Sequence, residues 1–209
     1  MRRRRAVTDF LRDNRRLFPL TGLLVLGVIG GIAVYLAIAK TAGTAEMGAL
    51  LHVNAVAGGL KNGLRALGSA CFPTALGVLL LFLLGLWSCG APFVLAVPFV
   101  YGLGLGMTEA YYYALGGRGV LAVVTVILPN ALLTAAVLIM AGAESLRLCL
   151  QISRRLLPAA LTGAEEQEPD ALWQVFRLYC LRFLLFSAAA VAVGVTDVLL
   201  RTVFAARLP

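Results

Sequence analysis

Histidine is almost missing from this chain: His52 is the only one in 209 residues. That scarcity excludes Ser-His and Cys-His pairs, the H-E-x-x-H metal motif and any His-rich metal site. Charge is sparse as well, at 13% of residues, where a soluble domain carries about a quarter. The four cysteines, Cys71, Cys89, Cys149 and Cys180, include no close pair. They therefore suit neither a disulfide framework nor a C-x-x-C metal or redox motif, and read as buried thiols. With no nucleophile beside a base, no metal cluster and no phosphate cradle, we expect no enzymatic activity and no cofactor.

What the chain has instead is apolar length. From Leu79 to Gly142 only Glu109 and Arg118 are charged, and the run is broken by Gly and Pro rather than by polar loops. A helix needs about 20 apolar residues to cross a bilayer core of about 30 Å, so this run suffices for three crossings joined by tight turns. The stretch from Leu17 to Ala39 reads as an uncleaved first span, being too long for a signal peptide and lacking a small-residue cleavage site. Hydropathy windows over 18–39, 72–88, 92–114, 119–141 and 181–203 predict an all-α, polytopic bundle of about five transmembrane helices.

The cationic residues orient it. Placing the amino terminus in the cytoplasm puts twelve Lys and Arg on the inside, seven of them in the tail, and six outside. Cationic segments resist translocation, so the tail (1–17) is expected inside the cell membrane and Pro209 outside. Spans one to four then occupy 18–141 with an outer loop at 40–70, a cytoplasmic segment covers 142–180, and the fifth span with the outer terminus takes 181–209. The net charge of +8 follows from this topology and from membrane lipid as a partner, without nucleic acid.

In the outer loop, Met47, Leu50, Leu51, Asn54, Leu60, Leu64 and Leu67 recur near a helical period beside Lys61 and Arg65. This predicts a short amphipathic helix, either packed on the bundle and interface or docking a partner through Met47, Leu50, Leu51, Leu60 and Leu64. In span three, Gly102 and Gly106 form a small-x-x-x-small face that admits a neighbouring helix closely, from the same chain or from another copy in a homo-oligomer.

Polar residues within spans need partners. Asp197 has Arg201 four residues on, an i,i+4 pair. Glu109 has Tyr112 and Tyr113 as its nearest helical neighbours; it reads as a hydrogen-bonded carboxyl near the interface, as a proton or ion site, or as a partner contact. Pro129 and Asn130 break span four, where the proline frees a carbonyl. A broken helix facing a Gly-rich, Glu-bearing one is also how transporters build midplane sites.

Several of these features together resemble the stage II sporulation protein M family. They are the tight turn at Gly90 and Pro92, the Gly-rich span three (Gly102, Gly104, Gly106), the Gly116 to Gly119 turn, and the element Leu128-Pro129-Asn130, here followed by Ala131. The similarity is strongest over 76–141. The resemblance implies a non-enzymatic scaffold in the engulfing septal membrane during endospore formation. Such a scaffold would assemble wall-degrading partners, a lytic transglycosylase and an amidase/endopeptidase. The competing expectation is a small secondary transporter or channel subunit with an intramembrane Glu site.

Overall fold

The computed structural model describes residues 17–39, 60–156 and 169–204. Among these the secondary structure is wholly helical: α1 (Leu17–Ala39), α2 (Leu60–Leu86), α3 (Ala91–Ala114), the short α4 (Gly117–Ala122), a π-helical turn (Val123–Ile127), α5 (Leu128–Leu156) and α6 (Pro169–Phe204). The chain is a helical bundle suited to a membrane. Four stretches are long and apolar enough to cross one: Leu17–Ala39, Ala91–Ala114, Gly119–Ser153 and Trp173–Leu200. In α2 only Cys71–Leu86 is continuously apolar.

The packing fixes relative directions. Gly27 of α1 abuts Phe99 and Leu103 of α3, and Gly31, one turn on, abuts Leu103 and Met107. Both numbers rise together, so α1 and α3 run parallel. A chain can place two consecutive long helices parallel only by returning between them, and α2 makes that return. It joins α3 through a turn in which Gly90 N–H donates to the Trp87 carbonyl at 2.9 Å. A Cβ on Gly90 would strike the Leu84 carbonyl, and a proline in the first turn of α3 supplies a preset φ. α2 and α5 are likewise parallel, with Gly77 against Leu138, Leu81 against Ser145 and Trp87 against Cys149. α6 runs against α2, since Tyr179 meets Phe82 while Val191 meets Cys71. The result is a serpentine bundle in which α2 runs antiparallel to α1, α3 and α6.

Two differences from the sequence-based spans follow. α2 begins at Leu60 rather than near 72, so the backbone of 60–70 belongs to the same helix as the apolar stretch Cys71–Leu86 instead of a separate surface one. α6 begins at Pro169, well before 181. Hydropathy placed both boundaries late because Lys61, Arg65, Arg177 and Arg182 dilute the windows, while tertiary contacts carry the helices through them.

Lipid is as apolar as leucine, so these helices associate through close packing and hydrogen bonds rather than through hydrophobic burial. α1 and α3 meet by reciprocal glycines: Gly102 and Gly106 lie against the backbone of Leu24 and Val28, as Gly27 and Gly31 do against α3. α2, α5 and α6 form a second unit around Val78, Leu81, Leu138, Ala141, Tyr179 and Phe183. There Phe82 stacks on Tyr179 at a centroid distance of 5.3 Å and meets Phe183 edge-on at 5.3 Å. Leu20 and Val94, both fully buried, tie the two units together. At the far end from the 87–90 turn, Gly116 closes α3 with φ +82°, a conformation costly to residues with a Cβ.

Candidate polar site within the bundle

Pro129 lacks an N–H, so one carbonyl in the preceding turn loses its intrahelical donor. The helix widens into the π-turn Val123–Ile127 immediately before it, the local response expected where the ladder is interrupted. Just beyond, α5 turns a polar strip inward at one-turn spacing. The Asn130 Oδ1 is buried without a hydrogen-bond partner, and Thr134 is buried at 4% exposure.

The facing residue on α3 is Tyr101. Its hydroxyl shares a hydrogen bond with Thr134 and lies 3.5 Å from the Ala131 carbonyl. From α6 comes Asp197, 3% exposed, whose carboxyl group lies within electrostatic range of the Tyr101 hydroxyl, as does that of Glu109. Glu109 itself is half-buried and stands about 12 Å along α3 from Tyr101 by helical rise. The site is thus a three-helix polar cluster in the half of the bundle away from the 87–90 turn. A hydroxyl pair, an amide oxygen and a carboxylate can knit three helices together by hydrogen bonding, or hold a proton or an alkali cation. Among the described residues no group of three or more His, Cys, Asp or Glu is placed to hold a metal ion.

The structure brings Pro129 and Asn130 into this cluster, with Glu109 at its edge. It places Gly102 and Gly106 elsewhere, in the seam with α1. Leu60 and Leu64 fall in the first turns of α2, with side chains outside the described residues. Met47, Leu50 and Leu51 also lie outside them, and the expected Asp197–Arg201 pair depends on an Arg201 side chain that does too. Sequence reasoning missed Tyr101 and Thr134. Thr134 stands four residues after Asn130, on the same helical face, and that spacing was the available signal.

A second set of polar contacts, also missed, staples the opposite half. Ser145 Oγ donates to the Leu81 carbonyl at 2.7 Å, and the Tyr179 hydroxyl donates to the Phe82 carbonyl at 2.9 Å. Gly85 leaves room for both, since a Cβ there would meet the Tyr179 hydroxyl and Ser145. The Cys149 thiol, fully buried, points at the Trp87 carbonyl at 3.1 Å, and Arg182 pairs with Glu144. Each of these joins α5 or α6 to a neighbour.

Comparison with known proteins yields no matching family model, no matching curated protein and no matching solved structure.

Proposed function

We propose that this protein is a multi-pass membrane scaffold without chemistry of its own, which holds partner proteins at the outer face through the segment 40–59. The observation that carries the reading is how the bundle uses its polar groups. Ser145, Tyr179 and Tyr101 direct side-chain donors at backbone carbonyls of a different helix, and Cys149 directs its thiol at the turn that joins α2 to α3. Together with the reciprocal glycine seam, these contacts suit a bundle that keeps one arrangement, as a platform must. The resemblance to the stage II sporulation protein M family supports a more specific form. The partners would then be a lytic transglycosylase and an amidase/endopeptidase, assembled at an engulfing septal membrane, with the amino terminus cytoplasmic and the carboxyl terminus outside.

The test is affinity capture of the tagged protein from gently solubilised membranes of its own host during starvation. The replaced segment should be 40–59 alone, because replacing 60–70 would remove the start of α2. Recovery of wall hydrolases that is lost with this replacement, and with Leu51→Asp, is the expected result. A partnerless homo-oligomer would overturn the proposal.

One observation favours a second reading, a small transporter or channel subunit. Asp197, Thr134, Tyr101 and the unbonded Asn130 Oδ1 converge beside a π-turn and a proline, and buried ionisable groups in spans mark ion pathways by default. Flux in proteoliposomes that is abolished by Asp197→Asn or Glu109→Gln, with the bundle still folded, would establish it in place of the scaffold.

A further inference from the structure

At the end of the bundle marked by the 87–90 turn, α5 and α6 part to leave a cleft of about 90 Å³. Arg147, Gln151 and Glu144 line it from α5, and Arg182 and Leu178 from α6. Only one Arg182 nitrogen is given to Glu144, out of the five N–H donors a guanidinium carries. Two guanidiniums against one carboxylate leave the cleft with a net positive charge.

Leu178 also opens onto a second hollow of about 610 Å³ along α6, with Arg177 at its rim and Leu181 and Leu184 along its length. The two hollows together are amphiphilic: a compact cationic end leads into an apolar track. Their depth agrees with that shape. Ser145, beside Glu144 in α5, meets the Leu81 carbonyl and Cys149 meets the Trp87 carbonyl, so the cationic end lies within about two helical turns of the 87–90 turn. Trp87 and Trp173, 62% and 68% exposed, mark the same end, and tryptophans concentrate at the headgroup level of a bilayer.

We infer that this pair of hollows is a binding site for one anionic phospholipid. The phosphodiester sits between Arg147 and Arg182 with Gln151 donating, and an acyl chain lies along Leu178, Leu181 and Leu184. Guanidiniums suit phosphate oxygens through their fork of donors, and basic pockets between spans are the general form of headgroup sites. The apolar continuation separates a lipid from a free phosphate, which would gain nothing from it.

The test uses the full chain purified in neutral detergent, with native mass spectrometry to count retained lipid and thermal melting as a second readout. Phosphatidylglycerol should be retained at one per chain and raise the melting temperature, whereas phosphatidylcholine and inorganic phosphate should do neither. Arg147→Gln, on an exposed side chain, should melt like the parent and weaken phosphatidylglycerol retention about fivefold, the worth of one cation near a lipid surface. Glu144→Gln removes the opposing carboxylate. It should lower the melting temperature of the lipid-free protein yet tighten retention, a pair of opposite signs that a merely structural role cannot give. Equal retention of phosphatidylcholine, full competition by inorganic phosphate, or unchanged retention in Arg147→Gln would each overturn the assignment.

Discussion

Gly106 of α3 rests on the backbone of Val28 in α1, with no side chain between the two helices. The contact is one rung of a seam in which Gly27, Gly31, Gly102 and Gly106 alternate from either side, so that two parallel helices meet main chain to main chain. The surface of α3 away from the seam is different: Gly104 has nothing within 4 Å of where a Cβ would stand.

Gly106→Ala should therefore destabilise the protein by about 1–3 kcal/mol, the range for overpacking a tight contact. Gly104→Ala should be neutral or stabilise by about 0.5–1 kcal/mol through lost unfolded-chain freedom. Melting of both variants in the same detergent checks the pair, and equal losses would refute the seam.

Tyr179→Phe should cost about 0.5–1.5 kcal/mol by deleting the bond to the Phe82 carbonyl. Gly85→Ala should cost more, because its new methyl meets the Tyr179 hydroxyl and Ser145. In the double variant the clash with the hydroxyl is gone, so the combined loss should fall short of the two single losses added together. A double-mutant cycle on melting free energies measures the difference.

Asn130→Leu removes a buried oxygen that has no partner. An apolar side chain with the same branching at Cγ should leave stability unchanged or raise it by about 1 kcal/mol, and partner capture should persist. If instead no partner is captured by the parent protein and the variant loses a reconstituted flux, the transporter reading replaces the scaffold.

Cys89 is exposed in the α2–α3 turn, whereas Cys149 is fully buried. With the amino terminus cytoplasmic, a membrane-impermeant maleimide should label Cys89 in inverted vesicles and not in intact cells, and should leave Cys149 unmodified in both. Labelling of Cys89 from outside would reverse the proposed orientation.

The existence of the crossing helices was legible because apolar length is a direct demand of the bilayer. The start of α2 was not. Lys61, Asn62, Arg65 and Pro73 break the apolar run there, and the helix continues across them because its later turns are held by Leu138 and Val191. The small-residue spacing of Gly102 and Gly106 could be seen in the sequence. That they meet the backbone of Leu24 and Val28 in α1 could not, since spacing says what a helix surface can accept and nothing about which distant segment arrives. At the candidate site, Asn130 stood out as an amide after a proline. Tyr101 and Thr134 did not, because neither disturbs a hydropathy window and their pairing exists only once α3 and α5 are side by side.

The parallel seam also constrains how the protein is made. α1 enters the bilayer ahead of α3, the partner of Gly27 and Gly31, and that matching surface emerges only after the 40–59 segment, α2 and the turn have been synthesised. Between Leu24 and Gly102 that interval is roughly 4–15 s at a synthesis rate of about 5–20 residues per second. Throughout it α1 offers an uncovered glycine groove to lipid, to the insertion machinery or to a neighbouring nascent chain. An opportunity for pairing between copies is thus open early in biogenesis and closes when α3 arrives.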